Sequence, residues 1–332
     1  MTIPVMISSP DTAKFSESDR RFKLFGSHVR LLIGEPVRSG LPSPEAMGIQ
    51  IEFFLRLLHR KLTRFDPASE LCALNADRDE ACSVGPTLAV AVDAALWAAR
   101  RSDGLVDPTL VGEIEDVGYA SSRADLPPAS IEEALAVAPK RRAAGPRADS
   151  RWTRIAVDAA AGIVNRPQGV RIDTGGSGKG LAADLAADRL AGYSTFVVDA
   201  GGDLRLGGER PLERQVRIDH PLDEGPAHEL MLDRGAVATS GIRTRLWKTE
   251  SGFAHHLLDP STGEPAWTGV IQATSLGATA LEAETLAKMA FLSGPDGAHE
   301  ILADHGGLIV LDDGTVELIG SLAGRPEAVT AA

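Results

Sequence analysis

The chain has 332 residues, of which 43% are hydrophobic and 24% are charged, and its formal net charge is −12. This composition is typical of a soluble globular protein with one large domain or two packed lobes, and no apolar run is long enough to span a bilayer. The negative charge argues against nucleic acid and against an anionic membrane surface as partners. The two cysteines, Cys72 and Cys82, and an amino terminus with neither a basic head nor an apolar stretch predict a cytoplasmic protein without a disulfide framework.

The amino-terminal half is predicted to contain one strand and two long helices. Residues 1–20 are expected to form a flexible tail, and the sequence at 28–34 is typical of a strand. Apolar residues recur at helical spacing after Pro44, and a second helix is predicted to begin at Pro86. Residues 119–150 are rich in Ala, Pro, Arg and Ser, which predicts a surface excursion with one short helix.

The carboxyl-terminal half is predicted to be rich in strands. They are expected at residues 153–157, 162–165, 170–173, 195–199, 204–208 and 216–219, as a pair at 229–233 and 236–240, and as hairpins within 245–259 and 308–320. Helices are expected at about 179–190 and 281–292. Because strands and helices alternate irregularly, we expect an α+β layered fold rather than a regular βαβ series.

The strongest local motif is the glycine-rich segment 173–180, Asp-Thr-Gly-Gly-Ser-Gly-Lys-Gly, which joins a predicted strand to a helix carrying Asp184. Glycines let the backbone approach a ligand, and the amides at a helix start favour an anion. Lys179 adds a positive charge of the kind used on phosphates. The spacing matches neither a P-loop nor a Rossmann turn, so a purely structural turn is an equal alternative for the motif alone.

Two further motifs contain glycine next to polar residues. Gly201-Gly202-Asp203 follows a predicted buried strand, and in isolation a tight turn is the favoured interpretation. Ala238-Thr239-Ser240-Gly241 precedes Arg243 and Arg245, so that hydroxyl and guanidinium groups could hold a phosphate or a flavin edge. A strand end with solvated charges is equally compatible with this second motif.

Two pairs of polar residues complete the candidates. His255 and His256 are adjacent on a predicted strand, so one faces inward, where it could orient a substrate or move a proton beside the acidic turn at Asp259. Packing of one ring and exposure of the other is the alternative. Glu284 and Lys288 stand four residues apart on one helix face, which is ordinarily a surface ion pair.

Taken together and in this order, the motifs resemble the ApbE family of FAD:protein FMN transferases from about Phe25 to Gly320. Further segments similar to the family's pattern are Gly26-Ser27, Ser69 to Asn75, Asp103 to Thr109, and His256 to Gly263. The resemblance implies one FAD-binding domain over residues 21–325. It also implies an ApbE-like, T-fold-related fold with mixed or antiparallel sheets, packed helices and an FAD cleft between lobes.

The resemblance also implies a set of ligand-binding residues. Those expected around FAD are Ser69, Asp107, Thr109, Asp173, Gly175, Gly176, Ser177, Lys179, Asp184, Gly201, Gly202, Asp203, Thr239, Ser240, Gly241, Arg243 and His256. In the family, Mg²⁺ takes an aspartate and a threonine four residues apart on the late helix, plus the backbone carbonyl before the lysine. The corresponding positions here are Glu284, Lys288 and Gly178. Glutamate can ligate Mg²⁺, whereas a protonated lysine cannot.

The implied reaction transfers FMN from FAD to a threonine or serine of a target flavoprotein and releases AMP. Lys179, His256, Glu284 and Lys288 are the expected catalytic residues, with His256 positioning a group or transferring a proton. Lys288 motivates one alternative, a non-catalytic FAD-binding protein or flavin carrier. A metal-dependent FAD pyrophosphatase is the other alternative and comes third, because Lys288 occupies a metal position. Residues 275–279 loosely resemble the Ser/Thr-Gly-Ala-Thr acceptor of target proteins, with an inserted leucine, which makes self-flavinylation a minor hypothesis. The segment also occupies the family's strand before the late helix, so a structural role is the favoured interpretation.

Overall fold

The computed structural model describes residues 16–323 and the backbone of residues 5–8, and these contain sixteen strands. In chain order they are β1 (Val5–Ser8), β2 (Ser18–Leu24), β3 (Ser27–Ile33), β4 (Ala81–Ser83), β5 (Ala156–Asp158), β6 (Ile163–Asn165), β7 (Phe196–Ala200), β8 (Leu204–Gly207), β9 (Arg214–Asp219), β10 (Pro226–Leu232), β11 (Gly235–Gly241), β12 (Leu246–Thr249), β13 (Gly252–His255), β14 (Val270–Gly277), β15 (Gly307–Leu311) and β16 (Val316–Ile319). Every strand pairing among them is antiparallel, so the sheets are antiparallel rather than mixed.

Seven α-helices lie within the described residues. They are α1 (Pro44–Leu62), α2 (Glu70–Ala76), α3 (Pro86–Arg101), α4 (Val111–Ile114), α5 (Ile131–Ala136), α6 (Gly178–Asp188) and α7 (Ala280–Leu302). The helices predicted after Pro44 and at Pro86 are confirmed, and both have proline in the first turn, where no backbone donor is needed. None of the described helices is both long and apolar enough to cross a membrane.

The largest sheet has eight strands in the order β16-β15-β14-β11-β8-β7-β3-β2 and is covered on both faces. Side chains alternate between the two faces of a strand. In β3, Val29, Leu31 and Ile33 therefore pack with α1, α3 and α6, whereas Leu32 packs into a second core with β9 and β10. Strands β1, β9 and β10 form a separate three-stranded sheet. The α+β prediction is thus confirmed. Residues of α1, α3 and α6 belong to the first core, and residues of α5 and of the later part of α7 belong to the second.

The predicted tail over residues 1–20 is wrong in its described part. Residues 5–8 form β1 against β9, and β2 begins at Ser18. Just before β2, Glu17 forms an ion pair with the buried Arg214 of β9, which ties this segment to the core. Residues 1–4 and 9–15 lie outside the described residues, as do positions 324 and 325 at the end of the predicted domain.

Three other predictions about elements need correction. Residues 170–173 are not a strand, because Ile172 bonds to a side chain, that of Asn75, instead of to a neighbouring strand. The strands predicted as a pair at 229–233 and 236–240 belong to different sheets, since β10 pairs with β9 and β11 lies between β8 and β14. Helix α7 continues past residue 292 to Leu302 through a break at Gly294, where φ is +74°.

Candidate active site

A cavity of about 640 Å³ opens among the loops that follow α1, precede α6 and follow β11. This volume is typical of pockets that hold cofactors. The sequence-predicted residues that line it are Asp107, Asp173, Gly175, Gly176, Ser177, Gly178, Lys179, Gly201, Thr239, Ser240, Gly241, Arg243, His256, Glu284 and Lys288. The fold therefore brings together residues that are far apart in the sequence, and several of them are glycines.

The glycine-rich segment is held at the cavity by contacts on its first residues. Asp173 accepts a hydrogen bond from the backbone N–H of Gly175 at 2.8 Å, and its other carboxylate oxygen lies 3.1 Å from Nε of Arg64. The backbone N–H of Asp173 donates to the carbonyl of Pro108 at 2.8 Å. Helix α6 begins directly after this loop, and its N-cap Ser177 makes no capping side-chain bond in the described chain. In the first turn the amide of Gly180 donates to Glu284, which leaves the amides of Gly178 and Lys179 available to an anion in the cavity.

Lys179 projects from the first turn of α6 toward Asp203. Its Nζ lies 2.6 Å from Oδ2 of Asp203, whose side chain is almost fully buried. Burial opposes the charged form of the lysine, but the attraction of Asp203 and Glu284 holds the pKa of Lys179 above its ordinary value. Lys179 is therefore a permanent cation on the cavity wall near neutral pH.

The turn after β7 is shaped by Asp199. Its Oδ1 accepts from the backbone N–H groups of Gly201 and Gly202 at 2.9 and 2.8 Å, and both glycines have positive φ. Burial raises the pKa of Asp199 to about 6. The turn that sequence alone favoured is thus present, and it also exposes Gly201 to the cavity while directing Asp203 to Lys179.

Glu284 and Lys288 form a buried ion pair on α7, so the surface alternative is wrong. Lys288 Nζ lies 2.8 Å from Oε1 of Glu284, and the side chains are 12% and 1% exposed. The backbone N–H of Gly180 donates to Oε2 of Glu284 at 2.8 Å. A Cβ on Gly180 would lie 2.6 Å from the carbonyl oxygen of Ala280, so glycine allows α6 to approach α7 closely enough for this bond.

The carboxylate of Glu284 and the ammonium of Lys288 do not form a suitable ligand set for Mg²⁺. Both oxygens of Glu284 already accept hydrogen bonds, and the ammonium of Lys288 stands where the family pattern has a ligand oxygen. A cation between Gly178 and Glu284 would be repelled by that ammonium. Across residues 16–323, no group of three or more His, Cys, Asp and Glu side chains lies together in a way that could hold a metal ion, so the fit to Mg²⁺ depends on Glu284 and Lys288 alone.

The motif 238–241 and the arginines after it form another part of the wall. Oγ1 of Thr239 lies 2.8 Å from Oγ1 of Thr274 on the adjacent β14. Arg243 donates to the carbonyl of His220 at 2.8 Å, and Arg245 donates to the carbonyl of Gly26 at 3.0 Å. These bonds hold both guanidinium groups at the cavity, where each adds positive charge.

The two adjacent histidines have different surroundings. His255 is fully buried, with Trp267 and Phe291 against its ring at centroid distances of 4.9 and 6.0 Å, and burial lowers its pKa to about 3. His256 lines the cavity, and its Nδ1 has no hydrogen-bond partner in the described chain. Burial, together with the nearby charges, holds the pKa of His256 well below its ordinary value. His256 is therefore neutral near pH 7.

Five residues predicted to bind FAD do not line the cavity and have structural contacts instead. Ser69 caps α2 by accepting from the backbone N–H of Cys72 at 3.0 Å. Thr109 donates to Oδ1 of Asp107. Asp184 accepts from the first two amides of α7. Gly202 lies in the turn after β7, and Asp203 pairs with Lys179. Their observed contacts are thus with the protein, and their assignment as FAD-binding residues stays a prediction.

One residue that the motifs did not single out has a prominent place at the cavity. Arg64, in the loop after α1, stacks on Phe65 and Tyr119 at 4.2 and 4.6 Å from the ring centroids. Its side chain is only 7% exposed, and neither NH1 nor NH2 has a hydrogen-bond partner in the described residues. An arginine in a polar loop carries no periodic signal, so only the fold shows that it faces the cavity.

The structure thus defines an α+β protein with a cofactor-sized, glycine-lined and locally cationic cavity. The sequence model of the ApbE family matches residues 26–311, and the chain belongs to this family. It is 27% identical to an FAD:protein FMN transferase from Treponema pallidum over 86% of this chain and 83% of that protein. It is 29% identical to the transferase from Rhodobacter capsulatus over 96% of this chain, but spans only 60% of that longer protein.

Solved structures agree with this assignment. The ApbE protein from Thermotoga maritima superposes with a TM-score of 0.74 and 27% identity, covering 92% of this chain and 97% of that one. The flavinyl transferase ApbE from Pseudomonas stutzeri superposes with a TM-score of 0.73 over 95% of this chain and 99% of that one. Its 19% identity supports the shared fold alone. The ApbE-like fold predicted from the motifs is therefore confirmed.

Proposed function

We propose that the protein is an FAD:protein FMN transferase that binds FAD in the cavity described above. The observation that carries this proposal is the meeting of the glycine-rich loop, Lys179 and His256 around one cofactor-sized space in a chain of the ApbE family. A relative that aligns with 86% of this chain is named for the same activity. Residues 173–179 would receive the pyrophosphate, with the helix start and Lys179 supplying positive charge.

The reaction forms one phosphorus–oxygen bond and breaks another. The hydroxyl oxygen of a threonine or serine on the acceptor attacks the phosphorus of the FMN half, and the bond from that phosphorus to the bridging oxygen breaks. AMP leaves with the bonding electron pair, and the hydroxyl proton passes to a base. We assign His256 as this base because it lines the cavity and its Nδ1 has no hydrogen-bond partner in the described chain.

Charge develops on the phosphate oxygens as the bond to AMP breaks. Cations fixed in advance stabilise that charge without reorganisation during the reaction. Lys179 is held by Asp203, and Arg245 by the carbonyl of Gly26, so both are fixed before FAD arrives. We include no Mg²⁺ in this scheme because both carboxylate oxygens of Glu284 already accept hydrogen bonds.

The direct test uses purified protein, FAD and an acceptor domain that carries a Ser-Gly-Ala-Thr segment. We expect the mass of the acceptor to increase by one FMN, with AMP released in equal amount. The acceptor with threonine replaced by alanine is the matched control and should gain no mass. FAD that stays intact in every reaction would favour the carrier alternative, and FMN plus AMP released without acceptor would favour the pyrophosphatase.

Two other predictions concern partners and location. The acceptor is proposed to be a separate flavoprotein, because Thr279 accepts a capping bond from Glu282 N–H at 3.2 Å and does not line the cavity. Intact mass after incubation with FAD alone would reveal self-flavinylation. The expected absence of nucleic acid and of membrane insertion, and the cytoplasmic location, stay predictions of the sequence.

A further inference from the structure

The wall of the cavity nearest the start of α7 contains a network of alternating charges. Lys179 contacts Asp203 at 2.6 Å, and Lys288 contacts Glu284 at 2.8 Å. The two pairs are close enough that Glu284 also attracts Lys179 and that Lys288 attracts Asp203. Both ammonium groups line the cavity, whereas Asp203 does not.

The carboxylates of this network are held away from any metal. Glu284 is 1% exposed and is bonded through one oxygen to the ammonium of Lys288 and through the other to the N–H of Gly180. Asp203 lies behind Lys179 and is 1% exposed. A divalent cation would have to displace a lysine and leave that ammonium unpaired in a buried place, which is costly.

The ammonium of Lys288 can donate hydrogen bonds to a ligand in the cavity, which the carboxylate of Glu284 cannot do. It carries three N–H donors, of which one is directed at Glu284, and its side chain is still 12% exposed toward the cavity. Glu284 fixes the position of Lys288, just as Asp203 fixes that of Lys179. The cavity therefore contains two immobilised cations on successive helices, α6 and α7, next to the glycine-rich loop.

We infer, on the basis of the proposed FMN transfer, that this chain needs no divalent cation and that Lys288, together with Lys179, supplies the positive charge at the pyrophosphate of FAD. Attack by the acceptor hydroxyl oxygen places negative charge on the non-bridging oxygens and on the departing AMP phosphate. Lys288 donates hydrogen bonds to those oxygens, while Glu284 holds the ammonium in place and does not ligate a metal. The proton of the hydroxyl goes to His256 and the electron pair of the broken bond goes to AMP.

The test measures FMN transfer by the full chain after treatment with EDTA, with and without added Mg²⁺, using the acceptor domain described above. We expect equal rates in both conditions for the unmodified protein. Lys288→Met, which keeps the length of the side chain and removes its charge, should slow transfer by about 100-fold or more, since one fixed stabilising group is lost. Lys248→Met is the matched control because Lys248 is 66% exposed, pairs with Glu133 and does not line the cavity, so its rate should not change.

A second variant separates charge from packing. Lys288→Thr introduces a ligand oxygen and releases Glu284, so it should be inactive in EDTA and regain transfer when Mg²⁺ is added. Lys288→Arg should retain more activity than Lys288→Met, which a packing role alone would not produce. Calorimetric titration with FAD in EDTA gives a measurement independent of the acceptor, and Lys288→Met should bind about 10-fold more weakly or worse.

The outcomes distinguish this inference from the proposed function. Transfer by the unmodified protein only when Mg²⁺ is present would overturn the inference and leave the proposed transferase intact. Undiminished transfer and FAD affinity in Lys288→Met would also overturn it. Absence of transfer by the unmodified protein in both conditions would overturn the proposed function and the inference with it.

Discussion

The side chain of Asn75 pairs with the backbone of Ile172 in the manner of a neighbouring strand. Its Oδ1 accepts from the N–H of Ile172 at 2.7 Å, and its Nδ2 donates to the carbonyl of the same residue at 2.8 Å. Ile172 directly precedes the glycine-rich segment at the cavity. The position of that segment therefore depends on a residue almost a hundred positions earlier in the chain, as the separation of 97 shows.

We expect Asn75→Ala to destabilise the fold and to weaken FAD binding together. Two buried backbone groups lose their partner, which should lower the free energy of unfolding by about 1–3 kcal/mol. The loop 173–180 would then be less fixed, and the Kd for FAD should rise. Urea denaturation and calorimetric titration measure the two effects, and a stability loss without any change in Kd would show that Asn75 does not position the loop.

Asp184 should contribute to stability and not to FAD binding. Its carboxylate accepts from the amides of Ala280 and Leu281 at 2.8 and 2.9 Å and so caps α7 from outside that helix. Asp184→Ala should lower the free energy of unfolding by about 1–2 kcal/mol, the usual cost of losing a cap. Asp184→Asn keeps one acceptor and should cost less. Because Asp184 does not line the cavity, the Kd for FAD should stay unchanged in both, and a weaker affinity would return it to the ligand-binding set.

Local elements could be predicted from the sequence where the signal is local. The hairpin β15–β16 turns at Gly314, where φ is +87°, and the hairpin β12–β13 turns next to Gly252, and both lie within the ranges 308–320 and 245–259 predicted for hairpins. The neighbours of β11 could not be predicted, because β8 and β14 reach it from distant parts of the chain. The strand predicted at 170–173 failed because a side chain supplies its hydrogen bonds, which no backbone pattern reveals.

The candidate site shows the same limit. Motif order indicated fifteen of the residues that line the cavity, including Lys179 and His256. In the sequence, the four-residue spacing of Glu284 and Lys288 is that of a surface ion pair. The pair is buried because α6 packs closely against α7 at Gly180, and the spacing does not show this. Arg64 was missed for the opposite reason, since it belongs to no motif and reaches the cavity through the loop after α1.

Arg64 is expected to bind FAD through its two unpartnered terminal nitrogens. They are buried, and a guanidinium fixed on two aromatic rings and on Asp173 can donate to a ligand without losing mobility on binding. Arg64→Met should raise the Kd for FAD by about 10- to 100-fold, corresponding to the loss of hydrogen bonds from a charged donor. Arg100→Met is the control, because Arg100 is 54% exposed and lies outside the cavity. Equal affinity of both variants would remove Arg64 from the site.

His255 should make the fold sensitive to acid. Its pKa is about 3 in the folded protein, because burial disfavours the charged ring, whereas an exposed histidine has a pKa of about 6.5. Between these values the unfolded state binds more protons, so the free energy of unfolding falls as the pH falls below about 6.5. Because of this one group, the free energy of unfolding should be about 2 kcal/mol lower at pH 5 than at pH 7.

His255→Phe tests this dependence with a ring of similar size among Trp267 and Phe291. Between pH 7 and pH 5 the free energy of unfolding of the variant should fall by about 2 kcal/mol less than that of the unmodified protein. Urea denaturation at both pH values measures this difference. Each protein is compared with itself at pH 7. Differences in the free energy of unfolding that come from packing, or from the lost hydrogen bond of the Leu257 amide to His255, which is long at 3.3 Å, therefore cancel. Asp199 contributes equally in both proteins, and its raised pKa stabilises the fold toward acid instead. His255 also lowers the pKa of His256, and the variant removes that contribution together with the titration of His255 itself. Parallel losses in the two proteins would show that His255 does not carry the acid sensitivity.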